Sequence, residues 1–522
     1  MCIRDRIHVI GGDDTTFDST VSLGESLDNL LGVQSSDFGS AVGHPIIRGL
    51  SGNRVRIMNN GKTLRDVANV GDDHMNEVDL NGIQQIEIVR GPSSLLYSSG
   101  TVGGIVNIID NTIAREDFKA PELNIGLETQ SVNDGEVGSF SYQNNIGGFN
   151  VSLAYKDSQF DNYDIPNGAI IHSEDEHHDE DEHHDEDEHH DEEEHHDEDE
   201  HHDEENLGYL ENSDFESTSQ RFGISKTGEW GYFGVSYRNS ESLFGVPFHG
   251  DGHGHEGHGM HDEEEHHDED EHHDEEEHHD EDEHHDEDEH EEEIDYFNKD
   301  YSETSFAVNF SREVNDNFTV SLGLARVERA PSAKELYMNG AHLVTGRFEV
   351  GNTELESESA NNIDLNLFYK NNNFSFRGNI FKNDIDNYIY LQDETEEEHE
   401  EHEEHGDHDD HGGLILANFL QKDAELEGYE FEISQIFTFD RGNLTLSLGR
   451  DSVTGEFKNG MNIPRIVPAR NIITVSYSED NLLARLTYKD VEEQNDIGEG
   501  ETETEAYEMP VSYTHLTLPT KA

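Results

Sequence analysis

The sequence predicts an all-β transmembrane antiparallel barrel, incomplete as it stands, behind a smaller α+β domain at the N-terminus. Three observations carry this reading. Apolar and polar residues alternate with period two over most of the chain. The turns between the alternating runs switch between short and long. A compact, glycine-punctuated segment of mixed character precedes them.

The chain has 522 residues, ample for one large unit or two domains. Its formal net charge is −88, with 120 acidic against 32 basic residues. A phosphate binder needs basic patches, so nucleic acid is excluded as a natural partner. The acid is concentrated rather than spread. Residues 174–205, 261–293 and 393–411 together hold 57 of the 120 acidic residues and 25 of the 35 histidines. What remains has the composition of a folded body, so the chain reads as a body carrying three polar insertions. Cys2 is the only cysteine, which rules out a disulfide within the chain and argues against a thiolate zinc site. No run reaches the ~18–20 apolar residues that a membrane helix requires. No secretory signal is visible. Residues 1–6 (MCIRDR) and 511–522 (VSYTHLTLPTKA) resemble translated adaptor read-through and are expected to be non-native.

The first domain is expected over 7–115. Short β-rich runs at 54–58, 83–90 and 104–109 are separated by glycine turns, and Leu23, Leu27, Leu30 and Leu31 share one face of a helix over 21–31. The barrel is expected over 116–510. Phe318, Val320, Leu322 and Leu324 point one way while Thr319, Ser321, Gly323 and Ala325 point the other. Phe306, Val308 and Phe310 alternate likewise, as do residues 362–370, 373–380, 443–449 and 482–489. There are about 13 such runs of roughly ten residues, near the length a membrane strand needs. Short turns fall at 147–148, 227–228, 314–317, 371–373, 440–442 and 478–480. The long connections carry the histidine runs, within loops 172–205, 248–293 and 393–413, and the segment 329–352. Short turns on one side and long loops on the other are the habit of outer-membrane barrels. The histidine runs therefore all fall outside. They repeat HHDEDE or HHDEEE every six residues from His177 and again from His266. Such low-complexity tracts bury nothing and are expected to lack fixed structure without metal.

Two stretches carry a family resemblance. IIRGLSGNRVRIMNNG (46–61), followed by IEIVRGPSSLLYSSGTVGGIVNII (86–109), resembles the plug signature of TonB-dependent outer-membrane receptors. ERAPSAKELYMNGAHLVTGRFEVGN (328–352), then Leu355, Glu358 and NNID (361–364), is similar to an extracellular loop and strand of the same barrels. The resemblance implies that 7–115 is a plug inside the lumen of a barrel of about 22 strands. By that count roughly six strands are missing internally, and the junction is expected in 261–293. It further implies a bacterial outer-membrane location, outer-membrane lipid and the TonB energy-coupling complex as partners, although no coupling box is found in these residues. Gly91, Gly100, Gly103 and Gly104 suit tight turns and close packing in such a plug, and Pro92 fixes a turn beside Arg90.

The histidine runs point to metal. Without thiolate, zinc prefers imidazole and carboxylate. His399, His402, His405, His408 and His411 are spaced three apart; His249, His253, His255, His258 and His261 sit among glycines that let the chain fold around an ion. These are the candidate capture ligands. Calcium suits the carboxylates but leaves the histidines unexplained. A sharper site comes from the resemblance. In the zinc-scavenging, histidine-loop branch of the family, a plug Asp–His pair and a barrel-loop His resemble Asp73, His74 and His342, which implies a central metal site with a fourth ligand elsewhere. No catalytic motif is present, and no enzyme is expected. The expected function is energy-coupled uptake of Zn²⁺, as cargo rather than cofactor, or of another divalent transition metal. A siderophore or haem receptor is the alternative within transport. A secreted histidine-rich metal-buffering protein is the alternative of another class.

Overall fold

The computed structural model describes residues 7–11, 22–39, 41–65, 67–69, 71, 74–80, 83–166, 208–247, 299–342, 345–395, 414–479 and 482–516. The chain divides into two units, Met1–His249 with Glu303–Ala522, and Gly250–Ser302; the first holds both domains.

The N-terminal domain contains β1 (Ile7–Gly11), β2 (Val33–Phe38), β3 (Val42–Ile47), β4 (Val55–Asn59), β5 (Lys62–Thr63), β6 (Ile83–Arg90) and β7 (Gly104–Asp110). Five of these form one sheet in the order β1-β6-β7-β4-β5, and β2 and β3 form a separate hairpin. Strand β7 is apolar almost throughout because both faces of the sheet are covered. Val106 and Ile108 join Ile86, Ile88, Leu23, Leu27 and Ile47 on one side. Ile105 joins Met58 and Val89 on the other. Helix α1 spans only Leu23–Leu27, not the expected 21–31. Ser22 caps its start by accepting from the Glu25 amide at 3.1 Å. It stops at Asp28, whose carboxylate is taken by Arg470 of the barrel wall. Leu30 still packs on the same core from the turn that follows.

The wall begins with β8 (Glu122–Gln130), β9 (Gly135–Ile146), β10 (Phe149–Phe160), a small ladder of β11 (Tyr163–Asp164) and β12 (Tyr209–Leu210), β13 (Phe215–Gly228) and β14 (Gly231–Phe244). It continues with β15 (Phe306–Asn315), β16 (Phe318–Arg329), the hairpin β17 (Asn339–His342) and β18 (Arg347–Val350), β19 (Glu358–Lys370), β20 (Phe374–Asp393) and β21 (Ile415–Thr438). It ends with β22 (Gly442–Phe457), β23 (Arg470–Glu479), β24 (Leu482–Val491) and β25 (Tyr507–Leu516), which runs past residue 510. Long strands that follow one another pair antiparallel in two sheets, ordered β14-β13-β10-β9-β8 and β15-β16-β19-β20-β21-β22-β23-β24-β25.

Register turns the alternation into a lipid-facing band. Leu123, Tyr142, Leu153, Phe222 and Tyr237 form one cross-strand row. Phe310, Leu322, Leu365, Ile380 and Tyr429 form another. Phe310 and Ile380 are each 60% exposed, an arrangement suited to hydrocarbon and not to water. The opposite face is small or polar and buried, as at Ser321, Asp364 and Asn379. Exposed Phe149, Trp230, Phe233, Phe437 and Phe439 cluster at the short-turn end, forming the aromatic girdle of a membrane interface. No helix among the described residues is long and apolar enough to cross a membrane, which leaves the strands to do so.

Short turns lie on one side throughout, with small corrections. Gly228 pairs with Gly231, so the turn expected at 227–228 sits at 229–230. The connection 131–134, on the long-loop side, is short. The segment 329–352 is not an open loop but contains α2 (Ala333–Tyr337) and the β17–β18 hairpin. Among the described residues β14 and β15 share no ladder, and neither do β8 and β25. Strands β14 and β15 are exposed on both faces, whereas β13 and β16 bury their inner ones. Among the described residues the wall is therefore not closed, and the junction expected in 261–293 lies outside the described residues.

The N-terminal domain packs on the inner face of this wall, and one glycine shows how closely. Gly91 has φ +57, and a Cβ there would lie 2.2 Å from Asp364 Oδ2. Gly52 has φ +58 with nothing within 4 Å of a Cβ. Gly91→Ala is expected to lose more than the ~1–2 kcal/mol of left-handed backbone strain, since a buried carboxylate must also move. Gly52→Ala isolates the backbone part. Thermal unfolding of the two variants in detergent should separate them; equal losses would mean that Asp364 yields freely.

Candidate functional site

The seam between domain and wall is ionic. Arg48 sits in the left-handed region at φ 54, where a non-glycine residue is strained. Its guanidinium donates to Glu430 Oε1 at 2.7 Å, to Asp364 Oδ1 at 2.7 Å and to Asn379 Oδ1 at 2.8 Å, and lies 4.3 Å from the centre of the Phe381 ring. Burial works against this charge, but Glu430 and Asp364 outweigh it and hold the guanidinium firmly protonated. Arg90 donates to the other Glu430 oxygen at 2.6 Å. Further along, Arg54 pairs with Glu358, donates to the Ile389 carbonyl and stacks on Tyr388 at 4.1 Å. A third group joins Asp28 of the N-terminal domain to Arg470 and Lys489 of the wall, and the Gly32 amide donates to Asp451 at 2.6 Å. Buried charges persist only when paired, so this seam holds the domain in register with the wall. Sequence reasoning gave these residues no role. The available signal was Arg48, Arg54, Arg56 and Arg90 gathered in the N-terminal domain of a strongly acidic chain.

Beyond Glu358 the charged contacts continue. Glu358 also accepts from Arg329 Nε at 2.7 Å, and Arg329 forks onto Glu335 at 2.9 and 3.0 Å. Glu335 closes a capping box with Ser332 at the start of α2. Burial would push the Glu335 carboxyl up, but Arg329 overrides it and holds it low. In the same helix Lys334 reaches Glu349 at 3.0 Å, and Glu349 meets His342 Nδ1 at 3.1 Å. Burial would raise the Glu349 carboxyl, but the His342 hydrogen bond and Lys334 outweigh it and hold it below its ordinary value. In a neutral imidazole, a carboxylate accepting from Nδ1–H places the ring lone pair on Nε2, an arrangement common among metal-ligating histidines. Strand β18 also pairs parallel with the start of β21. Arg347 clamps Asp393 at 2.9 and 2.6 Å, so the hairpin bearing His342 is braced at the neck of the third histidine run.

His74 lies half-buried on the N-terminal domain. Its carbonyl accepts from His44 Nε2 at 2.8 Å, and Asn76 Nδ2 meets His44 Nδ1 at 3.3 Å. Met75 packs against an apolar cluster of Ala41, Val42, Val137, Phe160 and Phe215, with Phe244 alongside. Phe160 and Phe244 are the last residues of β10 and β14, the strands that lead into the first two histidine runs. His74 thus sits with the first sheet, while His342 rides on the second. Asp73 lies outside the described residues, as do His249, His253, His255, His258, His261, His399, His402, His405, His408 and His411. Among the described residues no group of three or more His, Cys, Asp or Glu is arranged to hold a metal ion.

A domain packed inside a lipid-facing antiparallel wall defines a plugged outer-membrane β-barrel. Comparison with known families agrees. The TonB-dependent Receptor Plug Domain matches residues 4–105, and the TonB dependent receptor-like beta-barrel matches residues 277–513, together more than half of the chain. The chain belongs to the TonB-dependent receptor family, whose barrels lie in the bacterial outer membrane and whose members are receptors and transporters. It is 36% identical over 90 residues to a vitamin B12 transporter of Photobacterium profundum, covering 17% of this chain and 14% of that protein. It is 30% identical over 128 residues to a hemin receptor of Yersinia enterocolitica, covering 24% of this chain and 18% of that protein. The matched stretches therefore span less than a fifth of either relative. In fold it resembles the copper transporter OprC (TM-score 0.58, 12% identity, covering 97% of this chain and 90% of that one). It resembles the ferric enterobactin receptor PfeA equally (TM-score 0.58, 12% identity, covering 99% and 92%).

Proposed function

We propose that this receptor takes up zinc, or another divalent transition metal, across the outer membrane, driven through the TonB energy-coupling complex. One observation carries the reading: the three histidine- and acid-rich runs all interrupt connections on the side opposite the short turns. Many weak sites around one mouth raise the local cation concentration, and their negative field steers cations inward. Asp73, His74 and His342 then hold the ion between plug and wall, and displacement of the plug parts the ligands. The Glu349 carboxylate at 3.1 Å from Nδ1, an orienting partner of the kind metal-ligating histidines use, supports a ligand role for His342. The test is zinc uptake by cells carrying the intact receptor, with and without TonB. Uptake that depends on TonB and is not competed by hemin is expected; growth supported by hemin alone would overturn the zinc reading. The matches to a vitamin B12 transporter and a hemin receptor favour a second reading, in which the cargo is a metal chelate of that kind.

Capture by the runs should depend on pH. Metal needs neutral imidazole, and the surrounding carboxylates favour the protonated form. Neutral imidazole is therefore lost early as pH falls, from near neutrality downward. Calorimetry on a peptide of residues 174–205 should show zinc affinity dropping steeply between about pH 7.5 and about pH 5.5. Unchanged affinity would assign the ion to the carboxylates and favour a calcium-like role.

A further inference from the structure

We propose that His44 is the positioning residue for His74 as a metal ligand; the inference rests on the reading of His74 as a ligand. His44 stands on β3 between buried Gly43 and buried Pro45. The strand has little freedom there, since a Cβ on Gly43 would lie 2.2 Å from Ser22 Oγ and 2.6 Å from Asp37 Oδ1. Both ring nitrogens are committed to one short segment. Nε2–H donates to the His74 carbonyl at 2.8 Å, and Nδ1 accepts from Asn76 Nδ2 at 3.3 Å. The two bonds straddle Met75, whose side chain enters the cluster formed by Ala41 and Val42, the residues just before Gly43 and His44. Residues 74–76 are thus held at three consecutive positions by one strand. The backbone from which the His74 imidazole projects is fixed before any ion arrives. With both nitrogens engaged in this way, His44 acts as the brace and His74 as the ligand. A metal site tolerates little ligand misplacement, and loss of an orienting partner weakens metal binding ~10–100-fold.

The test reads residues 71–80 directly, because the histidine runs also bind zinc. Hydrogen exchange of a peptide spanning 71–80 is followed in the full chain in detergent, zinc-free and along a zinc titration. In His44→Phe, the zinc-free segment should exchange faster and half-protection should need ~10–100-fold more zinc. His44→Gln, whose amide can still donate to the His74 carbonyl, should stay within about threefold of the parent chain, since it restores the shorter bond. His74→Ala should abolish zinc-dependent protection. If His74→Ala abolishes it but His44→Phe changes neither exchange nor titration, the positioning role is wrong and the ligand reading stands. If His74→Ala leaves zinc-dependent protection intact, both are wrong. If His44→Gln behaves like His44→Phe, the hydrogen bond is not the cause, and the positioning role is again overturned.

Discussion

Glu358→Ala is expected to destabilise the chain by about 3–5 kcal/mol, the usual cost of breaking a buried ion pair by removing one partner. Glu358 is fully buried and pairs with Arg54 of the plug and Arg329 of the wall. Its removal leaves Arg54 without its carboxylate, takes one of two carboxylates from Arg329 and removes an acceptor from the Ile389 amide. The exposed pair of Lys382 and Glu425 gives the contrast. Lys382→Ala should cost less than about 1 kcal/mol, because water already solvates both charges. Thermal unfolding in detergent measures both. Hydrogen exchange over 333–350 should rise in Glu358→Ala alone, since Arg329 would lose one of the two carboxylates that anchor it beneath α2. Equal stability of the two variants would mean that the seam is hydrated and carries little of the plug's attachment.

The second large effect concerns the ion. His74→Ala and His342→Ala are each expected to impair zinc-limited growth of cells carrying the intact receptor more than deletion of 174–205 does. The runs are redundant, with 25 histidines in three segments, so losing one run removes capacity without removing a kind of site. A central site has no spare ligands, and losing one should exceed the ~10–100-fold that orienting partners alone contribute. Silent substitutions alongside a deletion that abolishes growth would make the runs the principal receptor.

The barrel was legible because its signal is local. Period-two alternation needs only neighbours, and Leu322 and Leu324 are exposed while Ser321 and Gly323 between them are buried, as the sequence implies. Turn positions were legible to within two residues, the error at 227–228 arising because Thr227 and Gly228 extend a ladder that Gly231 completes. The 21–31 helix was over-read. Leucine spacing suits a longer helix, but Arg470, some 440 residues away, claims Asp28 and ends it. The ionic seam was illegible for the same reason, since Arg48 meets Glu430 and Asp364 only once the wall has curled round the plug. At the candidate site, His74 and His342 could be named from resemblance. His44 and Glu349 could not, because their importance lies in what they touch.

Among the described residues β14 and β15 each pair along one edge only, and this fixes what environment such a wall can tolerate. Along each strand every other residue turns its N–H and C=O away from the one neighbour it has. Water satisfies such groups at little cost, but hydrocarbon offers them nothing, and each unmet group there costs several kcal/mol. A gap in a lipid-bound cylinder is therefore a seam of unsolvated peptide running the height of the bilayer. The wall can rest in a membrane only with that seam zipped by further strands. In detergent, where the rim stays wet, it can remain unzipped, and the amides of the terminal strands, Gly231 to Phe244 and Phe306 to Asn315 among them, should then trade hydrogen for deuterium before those of the strands paired on both sides.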